Sequence, residues 1–157
     1  MARASIKVGD KAPMITLNDQ SGNPVSLADL IKENVVVLYF YPKDETPGCT
    51  AEACSFRDSY DVFAQAGAQV VGVSADSTES HASFARHHGL PFVLLSDPDG
   101  SARAAFGVSA VLGLLPGRVT FVIDREGVVR HHFSSSVRIG THVEGALAMV
   151  KELAASI

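Results

Sequence analysis

The chain has 157 residues, the size of one ordinary domain, and 46% of them are hydrophobic against 19% charged. We therefore expect one packed domain over residues 1–157, and no apolar run reaches the ~20 residues that span a bilayer. No membrane partner is therefore expected. The net charge of −4 gives no basic excess for binding nucleic acid, so no nucleic-acid partner is expected either.

The N-terminal residues 1–13, MARASIKVGDKAP, contain no apolar core of the kind found in signal peptides. This favours a protein that is not exported, and we expect a cytoplasmic location, where thiols are kept reduced. The chain has two cysteines, Cys49 and Cys54. In such a compartment a cysteine pair is more often catalytic, redox-sensing or metal-binding than a permanent staple.

The first half of the chain predicts strand, helix, strand. A turn at 21–24 and a short helix at 26–30 precede the apolar run VVVLYFY at 35–41, which is typical of a strand buried on both faces. The pattern then becomes helical from about 47 to 66, and a second buried strand follows at 68–75. The apolar face of that helix is formed by residues at steps of three and four: Cys49, Ala53, Phe56, Tyr60 and Phe63.

The second half continues the alternation. Asp76 is predicted to cap a helix that runs to about His88, with Glu79 completing a capping box. The remaining predicted elements follow in chain order: a third strand at 92–97, a short helix near 100–106, an irregular stretch at 107–117, a hairpin of strands at 118–124 and 128–134, and a final helix at about 140–155. The order predicts a thioredoxin-like α/β fold with an N-terminal extension, in which helices flank a mostly parallel central sheet.

The segment between the first long strand and its helix concentrates the chemistry. Pro42 ends the strand, Thr46 is a good N-cap, and Pro47 is a good first helical residue. Cys49 then occupies the third helical position, where free backbone N–H groups and the helix dipole favour a thiolate. The Thr46 hydroxyl either lies near the sulfur or caps the helix, and both arrangements are compatible with the sequence.

Cys54 lies where it cannot pair with Cys49 while the helix is intact. Five residues of ideal helix rotate by roughly 140° and rise about 7.5 Å. The Cβ atoms of a disulfide must come within about 3.5–4.5 Å of each other. A bond between the two sulfurs therefore requires the first turns to unwind, which indicates a disulfide formed during turnover.

Three other interpretations of the cysteine pair are possible. Two buried small hydrophobic residues would suit Cys49 on the apolar face, but Cys54 lies on a polar stripe. A metal site would need a second ligand pair, and the histidine pairs at 87–88 and 131–132 are interpreted as solvated surface, so neither a metal nor another cofactor is expected. A thioredoxin-type redox pair would need the spacing C-x-x-C, which is absent.

The segment YPKDETPGCTAEACSFRD resembles the active-site segment of the peroxiredoxins. Their pattern P-x-x-x-T-x-x-C is met by Pro42, Thr46 and Cys49. The longer form T-P-G-C-T-x-E-A-C resembles the peroxiredoxin Q group, also called bacterioferritin comigratory protein. The similarity extends over nearly the whole chain, through GDKAPMITLNDQSGNPVSL, GLPFVLLSDPDG and LPGRVTFVID.

The resemblance implies a role for each matching residue. Cys49 matches the peroxidatic cysteine and Cys54 the resolving cysteine of the same chain, joined in turnover by an intramolecular disulfide. Thr46 would hydrogen-bond the peroxide oxygen and the sulfur, and Pro42 would shield the sulfur from water. Arg118, remote in sequence, resembles the family's active-site arginine and opens a strand predicted to lie in the same sheet.

Glu52 also matches the motif, and it either pairs with an arginine or is a solvated helix carboxylate. The resemblance implies a monomeric thiol peroxidase for hydrogen peroxide and organic hydroperoxides, recycled by thioredoxin or a similar dithiol. The alternatives are a protein disulfide oxidoreductase, which would be expected to carry C-x-x-C, and a peroxide sensor, which would turn over slowly.

Overall fold

The chain alternates strands and helices largely as predicted. The computed structural model describes residues 6–108, 110–111, 115–116, 118–135 and 138–155. The strands are β1 (Thr16–Asn18), β2 (Pro24–Ser26), β3 (Val35–Phe40), β4 (Ala68–Ser74), β5 (Val93–Ser96), β6 (Ala110–Val111), β7 (Leu115–Pro116), β8 (Val119–Ile123) and β9 (Val129–Ser134). The helices are α1 (Leu27–Leu30), α2 (Pro47–Asp58), α3 (Tyr60–Gln65), α4 (Thr78–His88), α5 (Ser101–Ala105) and α6 (Ile139–Ala155).

The main sheet has the strand order β2-β1-β5-β4-β3-β8-β9. Its centre is parallel, because β4 pairs in parallel with both β3 and β5. The N-terminal strands and β8-β9 pair antiparallel with their neighbours, so the whole sheet is mixed. The predicted thioredoxin-like α/β fold is confirmed, and the antiparallel share is larger than expected because the strands β1 and β2 were not foreseen.

The strand β3 lies at the centre of the core, and all six of its residues are buried. Its side chains alternate between two apolar clusters on opposite faces of the sheet, as the two-residue period of a strand requires. Val37 and Tyr39 pack on the face covered by α2 and α6, together with Cys49. The end of β3 is therefore fixed in position, and the loop that follows it starts from a rigid support.

Two predicted boundaries differ from the structure. The helix expected at 47–66 is divided at Ser59 into α2 and α3. The predicted cap at Asp76 is wrong: Ser77 caps α4, its side chain accepting a hydrogen bond from Ser80 N. The Asp76 carboxylate instead accepts hydrogen bonds from Asp44 N at 2.8 Å and Ser74 Oγ at 2.6 Å, so it is committed to the loop after β3.

Within the described part of the chain, no helix combines the length and the apolar character that crossing a membrane requires. The irregular stretch predicted at 107–117 lies partly outside the described residues. Its described part includes the short antiparallel pair β6-β7.

Candidate active site

The start of α2 has the local structure that its sequence predicts. Thr46 is the N-cap residue, with the extended backbone of that position (φ −87°, ψ 151°), and Pro47 is the first helical residue. Cys49 is consequently the third helical residue, and it is 1% exposed. The free N–H groups of the first turn and the positive end of the helix dipole lie beside its side chain.

Arg118 reaches this site from the neighbouring strand. It directly precedes β8, whose first residue Val119 pairs with Phe40 at the end of β3. The Arg118 Nη1 atom lies 3.4 Å from Cys49 Sγ, and the arginine is 6% exposed. The expected closeness of these two residues, 69 positions apart, is thus present in the structure.

Glu52 is buried beside the same guanidinium and is not a solvated carboxylate. It is 0% exposed, and its Oε1 accepts a hydrogen bond from Arg118 Nη1 at 2.7 Å. Burial raises the pKa of Glu52 to about 7, and the attraction of Arg118 counteracts part of that rise. Of the two alternatives that the sequence left open for Glu52, the structure therefore adopts the pair with an arginine.

His142 of α6 borders Glu52 and was not singled out from the sequence. Its Nδ1 lies 3.8 Å from Glu52 Oε2 and 2.7 Å from Thr120 Oγ1, while its Nε2 lies 2.8 Å from the carbonyl of Ser135. Burial lowers the pKa of His142, which favours a neutral ring that donates from Nε2 and accepts from the Thr120 hydroxyl. Its helical spacing with Ala146 and Val150, both buried, is the signal that places it on the inner face of α6.

Gly48 permits the close approach of Arg118 to the helix start. A Cβ atom at this position would lie 3.0 Å from Arg118 Nη2 and 3.5 Å from Ile139 Cδ1. That first distance is shorter than ordinary van der Waals contact, so a larger residue would press against the guanidinium. The sequence marks Gly48 as part of a motif but does not reveal this steric reason.

Of the two arrangements that the sequence left open for the Thr46 hydroxyl, the structure does not adopt the one that caps the helix. Thr46 makes no side-chain capping bond to the helix, and its Oγ1 donates to the carbonyl of Lys43 at 2.8 Å. Because the proton is directed to Lys43, the oxygen presents its lone pairs as an acceptor. Pro42 lies at the start of this loop, partly buried and directly after the buried Tyr41.

A buried polar network holds the loop between β3 and α2. The carboxylate of Asp44, which is 5% exposed, lies 2.5 Å from Tyr41 Oη, 2.7 Å from His81 Nδ1 and 2.9 Å from Ser80 Oγ. The His81 ring is 0% exposed and its Nε2 faces the carbonyl of Leu95 at 2.9 Å. These contacts join the loop to α4 and β5, and the sequence did not reveal them.

Cys54 lies on α2 together with Cys49. It is partly exposed, and both cysteines are free thiols. The helix is continuous over both positions, so the geometric argument from the sequence applies to this structure without change.

Comparisons with known proteins agree on one family. The model described as the AhpC/TSA family matches residues 8–132. A protein of Sedum lineare named "Peroxiredoxin Q, chloroplastic" is 48% identical over 151 residues, covering 96% of this chain and 81% of its own. Peroxidoxin BcpB from Mycobacterium tuberculosis superposes with a TM-score of 0.88 at 41% identity, covering 94% of this chain and 98% of its own.

A third similar protein has a solved structure that is described together with the substrate of that protein. It is the bacterioferritin comigratory protein of Xanthomonas campestris, described in connection with its alkyl peroxide reduction activity. It is 33% identical, covers 97% of this chain and 99% of its own, and has a TM-score of 0.82.

The expected cytoplasmic location is contradicted by these relatives. The Sedum lineare protein, nearly half identical to this chain, is named chloroplastic, and so is the 48% identical relative from Arabidopsis thaliana. The expectation depended on the missing apolar core of a signal peptide, and that feature does not distinguish the cytoplasm from a plastid. The prediction of a cytoplasmic location is therefore withdrawn.

Proposed function

The chain belongs to the AhpC/TSA family of peroxiredoxins and is a thiol-dependent peroxidase, and from this premise we propose that Cys49 attacks the peroxide and Cys54 resolves the product. The coarse reaction, reduction of a peroxide at the expense of a thiol reductant, follows from the family. The observation that carries the assignment of residues is the 3.4 Å distance between Arg118 Nη1 and the buried Cys49 Sγ.

In the first step the Cys49 thiolate attacks the terminal oxygen of the peroxide. An S–O bond forms as the O–O bond breaks, so Cys49 becomes a sulfenic acid, and the departing alkoxide or hydroxide takes up a proton from solvent and leaves as alcohol or water. Negative charge moves from the sulfur to the departing oxygen. The guanidinium of Arg118 and the first-turn N–H groups of α2 stabilise that charge throughout.

Thr46 and Pro42 orient and protect the reacting groups. The Thr46 oxygen, whose proton is donated to Lys43, accepts a hydrogen bond from the O–H of the peroxide and so orients it towards Cys49. Pro42 shields the sulfur from water at the edge of the loop. The network around Asp44 keeps this loop in place while the peroxide binds.

In the second step the Cys54 thiol condenses with the sulfenic acid, releasing water and forming the Cys49–Cys54 disulfide. Both residues lie on one continuous helix, so the first turns of α2 must unwind before the sulfurs meet. Local unfolding is therefore a step of the catalytic cycle. A thioredoxin-like dithiol then reduces the disulfide by thiol exchange.

The whole cycle takes place in one chain. Both cysteines belong to a single domain over residues 1–157, and no residue of a second copy is needed, so the protein acts as a monomer. Hydrogen peroxide and organic hydroperoxides are the substrates.

The test is peroxide consumption coupled to thioredoxin, thioredoxin reductase and NADPH. Cys49→Ser should abolish turnover. Cys54→Ser should consume about one equivalent of peroxide and then stall, because the sulfenic acid has no partner in the chain. Normal cycling of Cys54→Ser with thioredoxin would exclude the two-cysteine mechanism, and sedimentation equilibrium of the same samples tests the monomer.

A further inference from the structure

We propose that Glu45, His87 and His88 form a binding site for one divalent transition-metal ion of the zinc type, and that the bound ion holds the loop before α2 closed. The first part is independent of the catalytic cycle. The second part rests on the proposed function, because it concerns the unwinding that the Cys49–Cys54 disulfide requires.

The three side chains already converge on a common point. Glu45 Oε2 lies 2.9 Å from His87 Nδ1, and Glu45 Oε1 lies 2.8 Å from His88 Nε2. The three potential ligand atoms all lie within 4.8 Å of one another. With metal–ligand distances of about 2.0–2.2 Å, the ligand atoms of a tetrahedral zinc ion lie roughly 3.3–3.5 Å apart, so small side-chain shifts are sufficient to admit the ion.

The chemistry of the ligand set suits a borderline metal. Two imidazole nitrogens and one carboxylate oxygen are a donor set that zinc uses in sites where a fourth position stays open to water. The side chains of His87 and Glu45 are 66% and 44% exposed, so an ion can enter from solvent. Ion binding would replace the protons that now lie between the carboxylate and the two rings.

The fold prepares this cluster from separate parts of the chain. His87 and His88 are the last residues of α4, and their rings lie 4.3 Å apart. Glu45 lies in the loop after β3 with a positive φ of 62°, a conformation that non-glycine residues rarely adopt. The sequence analysis interprets this histidine pair as solvated surface. The approach of Glu45 depends on the loop conformation, which a local sequence pattern does not show.

Because of the position of Glu45, a bound ion would affect the unwinding of α2. Glu45 directly precedes Thr46, the N-cap of α2, whereas α4 packs against β5 in the body of the domain. An ion bound to all three ligands joins the start of α2 to α4 and opposes its unwinding. If the ion must dissociate before the loop opens, disulfide formation slows by the factor 1 + [ion]/Kd, about 11-fold at ten times Kd.

The binding test uses the Cys49→Ser/Cys54→Ser double variant, so that no thiol competes for the metal. Calorimetric titration with Zn²⁺ should give one equivalent bound. Adding Glu45→Gln or His87→Ala should weaken binding at least tenfold, because even loss of a group that only supports a ligand costs about 10–100-fold. His132→Ala, which removes another exposed histidine, is the matched control and should leave the affinity unchanged.

Failure of the double variant to bind zinc, or equal weakening by His132→Ala, overturns the site without affecting the peroxidase assignment. The coupling is tested with both cysteines present, by quenching and alkylating the protein at intervals after one equivalent of peroxide. Zinc should slow disulfide formation in the parent protein and not in Glu45→Gln. Equal slowing in both would mean that zinc acts on the thiols, and the proposed coupling would be wrong.

Discussion

Glu52 and Arg118 form an ion pair of 2.7 Å in which both side chains are buried. The same Arg118 nitrogen lies 3.4 Å from Cys49 Sγ, so one guanidinium serves both the carboxylate and the sulfur. When Glu52 carries its proton, more of the positive charge of Arg118 is available to the sulfur and, in the proposed mechanism, to the departing oxygen. The burial of Glu52 therefore affects the electrostatic environment of the sulfur as well as the packing of the site.

The first prediction concerns the pH dependence of stability. The pKa of Glu52 is raised from 4.5 to about 7 in the folded protein, so the folded state binds more protons than the unfolded state between these values. The contribution of Glu52 to the free energy of unfolding should consequently fall as the pH rises from about 4.5 to about 7, and then level off. The total fall is on the order of 3 kcal/mol.

Urea unfolding of the parent and Glu52→Gln proteins between pH 4.5 and pH 8 measures this effect. Other groups titrate in the same range, but they contribute to both proteins and largely cancel in the difference. The stability of Glu52→Gln relative to the parent should rise with pH. A flat difference would show that Glu52 titrates at its ordinary pKa and is not held in its buried position.

The second prediction concerns Arg118→Lys. Lysine keeps the charge, but its side chain is one bond shorter and does not carry a nitrogen to the position of Arg118 Nη1, which contacts both Glu52 and the sulfur. The rate constant for oxidation of Cys49 by peroxide should fall roughly 10²-fold, the usual cost of losing one preorganised donor to a developing charge. Rapid quenching and alkylation of Cys49 measures this rate.

Arg125→Lys is the control for that change, because Arg125 is an exposed arginine in the turn between β8 and β9. It should react at the parent rate. An unchanged rate in Arg118→Lys would remove Arg118 from the proposed mechanism.

The third prediction concerns Gly48→Ala. The added methyl group would lie 3.0 Å from Arg118 Nη2 and should displace the guanidinium from its position beside Cys49. Peroxide oxidation of Cys49 should slow roughly tenfold, since catalysis is sensitive to shifts of about 1 Å. Gly140→Ala in α6, where a Cβ meets nothing closer than 4.0 Å, is the control and should keep the parent rate.

Local sequence signals were sufficient to place Cys49 at the helix start. Pro42, Thr46 and Pro47 each act on their own backbone or on the adjacent turn, so a pattern in the sequence predicts their effect. The same local reasoning failed at Ser59, because the apolar spacing continues from Phe56 to Phe63 across the break between α2 and α3. It also missed β1 and β2, which have three residues each and no apolar run.

The environment of the sulfur could be predicted only in part. The motif offered Glu52 and Arg118 as partners, but the burial of Glu52 depends on α6, whose His142 is remote from Glu52 in the sequence. The contact between Gly48 and Arg118 likewise needs the register of β3 with β8. Such contacts arise from tertiary packing, which a local pattern does not encode.

The fourth prediction tests whether unwinding of α2 limits disulfide formation. Ala51 is exposed on α2 between the two cysteines, and Ala51→Gly should destabilise the helix by about 1 kcal/mol. If the first turns must open before Cys54 reaches the sulfenic acid at Cys49, disulfide formation should accelerate up to about fivefold, the rate equivalent of about 1 kcal/mol.

Ala148→Gly is the matched control, because Ala148 is exposed on α6, outside the segment that unwinds. The rate is measured by quenching and alkylating after one equivalent of peroxide, with sulfenic acid formation followed separately. Acceleration in Ala51→Gly with no change in Ala148→Gly supports local opening, whereas parent rates in both would show that unwinding of this segment does not limit resolution.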